Sequence, residues 1–249
     1  MIKKIYKYRN FSDPYMENII KNSSLYFASV DDFNDPFDCK LSFRQNYTMQ
    51  EKKFFFASLK KRNPDQVLSW EDFKKKYANK QDFVELQNDT TREMISSLGV
   101  LSLSKNYNNI LMWSHYSESH TGLVFEFSPK NINDENSCFH LGIPIEYSEN
   151  YDELSYVNNY QEEIPKLLLT KYKDWAYEEE YRSFGLDFQG EKKFEKDELT
   201  CIIFGAKASQ TNINKIIKLC KEYDYKHIKF KKAMLVHGSF SLAFKDIDI

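Results

Sequence analysis

The chain has 249 residues, of which 41% are hydrophobic and 16% aromatic, so it can bury a substantial core as one domain or two small ones. Its formal net charge of −2 excludes a molecule that attracts nucleic acid over its whole surface. It does not exclude a local basic surface. It has seven glycines, and neither G-x-G-x-x-G nor G-x-x-x-x-G-K-[ST] occurs, which argues against Rossmann and P-loop nucleotide sites.

The first elements in chain order are a strand, a helix and a second strand. Apolar and basic residues alternate from Ile5 to Arg9, which predicts a half-exposed strand. Asp13 followed by Pro14 predicts the start of a helix. Residues Leu25 to Ala28 predict the next strand, which is followed by a polar loop.

Residues 49–98 have the character of a helical insertion, because their aromatic and aliphatic residues recur at helical spacing. Between Glu51 and Lys80 there are nine basic and four acidic residues. This excess is typical of a solvated helix face, and it would also suit a lid or an arm that binds a phosphate-rich partner.

The stretch from Gly99 to Phe127 is the part of the chain richest in residues that could bind or transform a ligand. It predicts a strand from Val100 to Leu103, a helix from Ile110 to Tyr116 capped by Asn108 or Asn109, and a strand from Leu123 to Phe127. Trp113, His115, Tyr116 and His120 lie between the two strands.

The remaining residues predict alternating strands and helices with no internal repeat. The predicted strands are 143–147, 177–188, 200–204, 227–230 and 234–237, and the predicted helices are 164–172 and 213–220. The expected fold is therefore a single α+β domain over residues 1–249, with a mixed, largely antiparallel sheet, flanking helices and the insertion at 49–98.

The four cysteines and the N-terminal segment indicate a cellular compartment. Cys39, Cys138, Cys201 and Cys220 form no C-x-x-C pair and are predicted to be buried reduced thiols. The N-terminal segment has no apolar core of signal-peptide length, and no run approaches membrane-spanning length. We expect a cytoplasmic protein with no membrane partner.

Two histidines, His115 and His120, raise the question of a metal site. On a continuous helix they would lie about 140° apart, which is not the spacing at which two histidines share a metal. In the loop FNDPFD, Asn34, Asp35 and Asp38 are explained by turn chemistry. Asp35 and Asp38 could also hold a divalent ion, which leaves as an alternative a metal-dependent nuclease or phosphodiesterase that uses Asp35, Asp38, His115 and His120.

The segment YEEEYR, residues 177–182, contains two glutamates at alternate positions. As a strand it places Glu178, Glu180 and Arg182 on one face, and two buried carboxylates there would need an adjacent cation, which Arg182 could supply. As a helix it gives a routine Glu178–Arg182 surface pair instead. We favour the strand, and a structural ion pair is the competing interpretation of its charges.

The first strand carries two cations on one face. Lys7 and Arg9 suit a pyrophosphate, and Tyr6 and Tyr8 lie on the other face. The same cations could instead neutralise acidic residues such as Asp35, Asp38 or Glu180.

Several stretches together resemble a bacterial family catalogued as domain of unknown function 2971. They are IYKYRNF, SLYFASVDDFNDPFDCK, GVLSLSKNYNNILMWSHYSESHTGLVFEF, KYKDWAYEEEYR and IIFGAKAS. The resemblance implies an intracellular bacterial protein of a kind associated with phage defence, where it could act as a toxin effector.

A more distant similarity is to the ADP-ribosyltransferases. IYKYR, the Asp13 helix, SLYFAS and EEEYR follow in the order of that superfamily, and Glu178 and Glu180 are similar to its glutamate-x-glutamate pattern. The similarity implies an ADP-ribosyltransferase-like fold and NAD as substrate, with a nucleic-acid or protein acceptor.

Three functions remain open: an NAD-consuming enzyme (an ADP-ribosyltransferase or NAD glycohydrolase), the metal-dependent alternative, and a non-catalytic module that binds a nucleotide or a protein. We favour the first, with a nucleotide-like substrate and no metal. Its candidate catalytic residues are Glu180, His115 and Tyr116. Its candidate cofactor-binding residues are Lys7, Tyr8, Arg9, Asn34, Asp35, Asp38, Trp113, His120, Glu178 and Arg182.

Overall fold

The structure is a computed structural model that describes residues 3–39, 44–65, 68–150, 153–154 and 160–248. The chain divides into two compact units. The first comprises Met1–Asp32, Leu98–Ile145 and Asp174–Ile249, and the second comprises Phe33–Ser97 and Glu146–Lys173. The second unit contains most of the predicted insertion and extends beyond it on both sides.

The helices and strands follow one another in mixed order, as expected of an α+β fold. In chain order they are β1 (Ile5–Arg9), α1 (Asn18–Lys21), β2 (Ser24–Ser29), α2 (Met49–Arg62), α3 (Trp70–Lys76), α4 (Lys80–Ile95), β3 (Gly99–Ser104), α5 (Ile110–Tyr116), β4 (Leu123–Phe127), β5 (Ile143–Pro144), β6 (Glu146–Ser148), α6 (Tyr160–Leu169), β7 (Thr170–Tyr172), β8 (Glu180–Gly185), β9 (Gly190–Lys193), β10 (Leu199–Phe204), α7 (Gln210–Glu222), β11 (Lys229–Leu235) and β12 (Leu242–Asp246).

The first unit is built on a ten-stranded mixed sheet. Its main path runs β12-β11-β10-β4-β1-β3-β2-β9, with β8 also paired to β3 and β5 paired to β8. β10 and β11 are parallel, and the other pairs in this sheet are antiparallel. The predicted fold class, α+β with a largely antiparallel sheet and flanking helices, is therefore confirmed.

Strands β1 and β3 share fewer paired residues than any other neighbouring strands of the sheet. β1 pairs with β4 along its whole length, and β3 pairs with β8 along its whole length. By contrast β1 and β3, of which every residue is described, meet at one pair, Tyr6 with Ser104. The sheet therefore consists of two leaves joined at that pair.

Residues that alternate along the central strands fill a core on each face of the sheet. On one face Ile5, Phe125 and Ile202 pack with residues of α1 and α7, including Ile20 and Ile216. On the other face Tyr6, Tyr8, Val124 and Ile203 pack with Trp113 of α5. Helix α5 is thus fixed against the strand that carries Lys7 and Arg9.

The second unit is mainly helical and is held by aromatic contacts. Side chains of Thr48, Ser69 and Asn79 cap the N-termini of α2, α3 and α4, as hydroxyl and amide oxygens do for exposed backbone N–H groups. Phe55 and Phe73 both pack edge-on against Phe83. Strands β6 and β7 form a separate parallel pair.

Some predicted boundaries are wrong. The helix expected from Asp13 begins at Asn18, because Asp13 accepts a hydrogen bond from the Tyr15 N–H and forms a turn. The helix expected from Ile164 begins at Tyr160 and contains Pro165. Strand β11 covers both of the last two predicted strands in part, and β12 was not predicted.

The four cysteines are buried thiols, as predicted. Among the described residues, no helix combines the length and apolar character needed to cross a membrane.

Candidate functional site

Helix α5 forms where the sequence predicts it. Asn109 caps it, since its side-chain oxygen accepts from the N–H groups of Leu111 at 2.9 Å and Met112 at 3.3 Å. The helix presents Trp113 to Tyr8, with the two rings edge-on at a centroid distance of 5.4 Å. The other end of α5 carries His115 and Tyr116 toward the segment before β8.

Trp113 does not have the role predicted for it. Its side chain is completely buried, and its indole N–H donates to the Tyr107 carbonyl at 2.7 Å. The ring is part of the core, so the prediction that Trp113 binds a cofactor is wrong. Tyr8 is also buried, and its hydroxyl donates to the Asn106 carbonyl, so it too is part of the core.

His120 lies on a loop with an unusual backbone. Glu118, Ser119 and His120 have φ angles of 51°, 53° and 70°, a left-handed conformation that costs roughly 1 to 2 kcal/mol for each L-residue. Backbone hydrogen bonds hold it: His120 N–H donates to the Trp113 carbonyl, and Lys207 N–H donates to the His120 carbonyl. The loop is therefore fixed by its neighbours against its local preference.

The imidazole of His120 is held against α5. It stacks on Trp113, and its Nε2 lies 3.3 Å from Ser114 Oγ. Burial and the nearby charge of Lys207 lower the pKa of His120, which favours the neutral ring. Its Nδ1 is buried and has no hydrogen-bond partner among the described residues.

His115 and Tyr116 contact the short 3-10 turn at residues 173–178. His115 Nδ1 lies 2.8 Å from the Tyr177 hydroxyl, and the Tyr116 hydroxyl donates to Glu178 Oε1 at 2.5 Å. His115 is exposed, whereas the Glu178 carboxylate is buried. The exposed imidazole of His115 and the buried carboxylate of Glu178 therefore lie in two adjacent contacts between α5 and the 3-10 turn.

The segment YEEEYR is not one continuous strand. Tyr177 and Glu178 belong to the 3-10 turn, Glu179 has a left-handed φ of 44°, and strand β8 begins at Glu180. The prediction that Glu178 and Glu180 share a strand face is therefore wrong, because the chain turns at Glu179. The Glu179 side chain instead accepts a hydrogen bond from the Asn106 amide.

Glu180 and Arg182 form a buried ion pair on β8, as the strand interpretation predicted for these two residues. Arg182 donates from Nε to Glu180 Oε1 at 2.8 Å and from Nη2 to Oε2 at 3.2 Å. Arg182 is fully buried and Glu180 is 5% exposed. Both lie opposite serines of β3, Ser102 beside Arg182 and Ser104 beside Glu180.

Lys7 connects β1 with this pair. Its ammonium donates to the Ser102 carbonyl at 2.5 Å, beside the place where β1 and β3 separate. Burial, and then the charge of Arg9, lower the pKa of Lys7 well below its usual value, while Glu180 and Asp13 act in the opposite direction. Lys7 therefore lies within electrostatic range of Glu180, one of the three acidic residues that the sequence offered as its counter-charge.

Arg9 lies at the end of the same strand. Its Nε is 3.0 Å from Asp13 Oδ2, and burial lowers the pKa of its guanidinium. We call Lys7, Arg9, Asp13, Glu180 and Arg182 the junction cluster, because the charges of Arg9, Asp13 and Glu180 all act on Lys7 and Arg182 is bound to Glu180. Burial makes each of these charges count for more than it would at the surface.

Asn34, Asp35 and Asp38 belong to the second unit. Asp35 accepts from the Phe37 N–H at 2.9 Å, which confirms the turn chemistry. Asp38 is buried and lies 3.6 Å from the ammonium of Lys171. Among the described residues, no group of three or more His, Cys, Asp or Glu side chains could hold a metal ion.

Ser102, Ser104 and Tyr177 were missed by the sequence analysis. Ser104 is buried, and its hydroxyl donates to the Glu178 carbonyl at 2.7 Å, which fixes the 3-10 turn on β3. Two serines at alternate positions of the otherwise apolar strand GVLSLS share a face, and this pattern could have indicated a polar site.

Comparison with known proteins gives one match. A family model described as a protein of unknown function, DUF2971, matches residues 112–183, from α5 to the middle of β8. The match confirms the resemblance to that family and covers His115, Tyr116, Glu178 and Glu180. No curated protein and no solved structure matches the chain.

Proposed function

Because this chain carries the DUF2971 family segment at residues 112–183, and the family description assigns no activity, we propose its function from the junction cluster itself. The proposed function is that of an NAD-consuming enzyme, which transfers ADP-ribose to an acceptor or hydrolyses the bond between ribose and nicotinamide.

One observation supports this proposal more than any other. The Glu180 carboxylate is buried at the first residue of β8, with Arg182 bound to it and Lys7 within electrostatic range. A carboxylate in this setting stabilises the positive charge that develops on a ribose ring when its glycosidic bond breaks. The cations Lys7 and Arg9 suit the two negative charges of a pyrophosphate.

In the proposed reaction the bond between ribose C1′ and the nicotinamide nitrogen breaks, and its electron pair leaves with nicotinamide. Glu180 holds a ribose hydroxyl and stabilises the oxocarbenium-like centre. A hydroxyl of water or of the acceptor then bonds to C1′, and His115, which is exposed, accepts its proton. Tyr116, whose hydroxyl donates to Glu178, supplies an aromatic ring that can lie against the nicotinamide.

The test uses NAD labelled in the nicotinamide and, separately, in the adenine. We expect the purified chain to release nicotinamide, and the substitution Glu180→Gln to slow this release by at least a hundredfold. Glu179→Gln is the matched control, because Glu179 is the exposed neighbour and lies outside the cluster. Melting curves of both variants show whether each is folded.

Transfer of adenine label to a protein or nucleic acid identifies a transferase, and free ADP-ribose identifies a hydrolase. Full nicotinamide release by a folded Glu180→Gln variant, or no release by the wild-type chain with any acceptor tested, refutes the proposal.

The buried ion pair also favours a second candidate, a non-catalytic module that binds a nucleotide. In that case Arg182 and Glu180 serve only to hold β8, and NAD raises the melting temperature without being consumed. The labelled-NAD assay separates the two candidates.

A further inference from the structure

The loop end of the β11–β12 hairpin exposes a group of large apolar side chains. The exposed fraction is 48% for Met234, 73% for Leu235, 37% for Val236 and 98% for Phe240. All four lie within the last pairs of the hairpin or its connecting turn, where the Val236 N–H donates to the Ser241 carbonyl. Single exposed apolar residues are common, but a contiguous group marks a surface that binds something.

The chain around this group is basic. From Lys226 to Lys245 there are five lysines, two histidines and no acidic residue. Lys232 and Lys245 are direct cross-strand partners, an arrangement of like charges that destabilises a sheet unless an anion is present. Lys232 donates to the Ala208 carbonyl, and Lys245 is exposed.

The acidic residues that follow do not neutralise this pair. Asp246 is opposite Lys231, at 3.9 Å from its ammonium, and therefore lies on the other face of the hairpin. Asp248 lies beyond the end of β12. One face of the hairpin thus has two lysines next to the pair Met234 and Ala243, at the start of the apolar end.

Against the expectation of no membrane partner, we propose that the hairpin is a membrane-surface anchor that inserts its apolar end into a bilayer rich in anionic lipids. A strand rises about 3.4 Å per residue, so Lys232 and Lys245 lie about 7 Å from Met234 and Ala243 along the hairpin. Apolar groups of peripheral proteins enter the boundary between headgroups and acyl chains to a depth of about 5–10 Å. When the apolar end is inserted, the two lysines therefore lie at the level of the lipid phosphates.

The combination of lysines and an apolar end favours a lipid surface over a protein as the partner of the hairpin. An anionic headgroup region supplies the counter-charge for which Lys245, and Lys232 beside its bond to the Ala208 carbonyl, have no acidic partner among the described residues. The acyl boundary covers Leu235 and Phe240. Each lysine near such a surface contributes about fivefold to the affinity. The inference does not depend on the proposed NAD chemistry, since the hairpin contains none of the junction cluster.

The test is flotation of the full chain with phosphatidylcholine vesicles, with and without phosphatidylserine. We expect the chain to float only with the anionic vesicles. Leu235→Ser combined with Phe240→Ser should reduce binding at least tenfold at any salt concentration. Lys245→Ala should reduce it about fivefold at low salt and less at high salt. Leu186→Ser is the matched control, because Leu186 is 68% exposed on a different turn of the same unit.

Three outcomes would overturn the inference. In the first, the wild-type chain floats with neither kind of vesicle. In the second, Leu186→Ser weakens binding as much as the hairpin variant does. In the third outcome, sedimentation shows self-association that the Leu235→Ser and Phe240→Ser variant abolishes, so the apolar end is covered by a second copy of the chain.

Discussion

Removing one partner of the Glu180–Arg182 pair should cost far more stability than removing both. Arg182 is fully buried and its guanidinium is bound at two positions by Glu180. In Glu180→Leu this guanidinium loses its carboxylate inside the protein. Breaking a buried ion pair in this way costs about 3–5 kcal/mol.

The double substitution Glu180→Leu with Arg182→Leu removes both charges and is expected to be nearly neutral, or to stabilise the chain by about 1 kcal/mol or more. Arg182→Leu alone should cost less than Glu180→Leu alone, because Glu180 then still has the nearby charge of Lys7. For a chain of this length, a loss of about 3–5 kcal/mol lowers the melting temperature by roughly 6–20 °C.

The assay is a double-mutant cycle measured by urea unfolding and by thermal melting. The expected coupling energy is about 3 kcal/mol or more, which exceeds the 0–1 kcal/mol typical of an exposed pair. A coupling below about 1 kcal/mol, with both single variants close to wild type, would refute the reasoning, since it would show that the pair is hydrated in solution.

Three further outcomes are expected. The first concerns Lys7→Met. The pKa of Lys7 is lowered in the folded state, so burying its charge destabilises the wild type at neutral pH. This cost disappears as the pH rises toward the ordinary pKa of 10.5. The stability gain of Lys7→Met should therefore be largest near neutral pH and shrink toward pH 10.5; a gain that grows with pH would contradict it. Asn109→Ala should cost about 1 kcal/mol by removing the cap of α5, measured by urea unfolding, whereas Asn108→Ala, at the exposed neighbouring position, should cost much less. Gly205→Ala should lower the melting temperature strongly, because its Cβ would lie 2.1 Å from the His120 carbonyl oxygen; an unchanged melting curve would show that the loop at 118–120 moves freely.

The stretch around α5 was predictable because its signals are local. The Asn109 cap, the apolar spacing of the helix and the strand Leu123–Phe127 each depend on residues a few positions apart, and the structure has them where the sequence placed them. The proximity of Lys7 to Glu180 is one of the alternatives that the sequence left open, since Asp35 and Asp38 were equally possible counter-charges.

The parts that failed depend on contacts between distant residues. Glu179 adopts a left-handed φ, and nothing within the repeated glutamates of YEEEYR shows this. The turn is fixed by hydrogen bonds from Ser104 of β3 to Glu178, 74 positions away, and from Asn106 to Glu179, 73 positions away. The burial of Trp113 follows from its packing against β1, about one hundred residues earlier. Sequence spacing alone cannot separate a tryptophan that covers a strand from one that covers a ligand.

The single contact between Tyr6 and Ser104 has a mechanical consequence. A ladder of hydrogen bonds resists bending because neighbouring bonds must distort together, but an isolated pair has no neighbours that share the load. Slow bending of the first unit should therefore concentrate at this point, which the Lys7–Ser102 bond also spans.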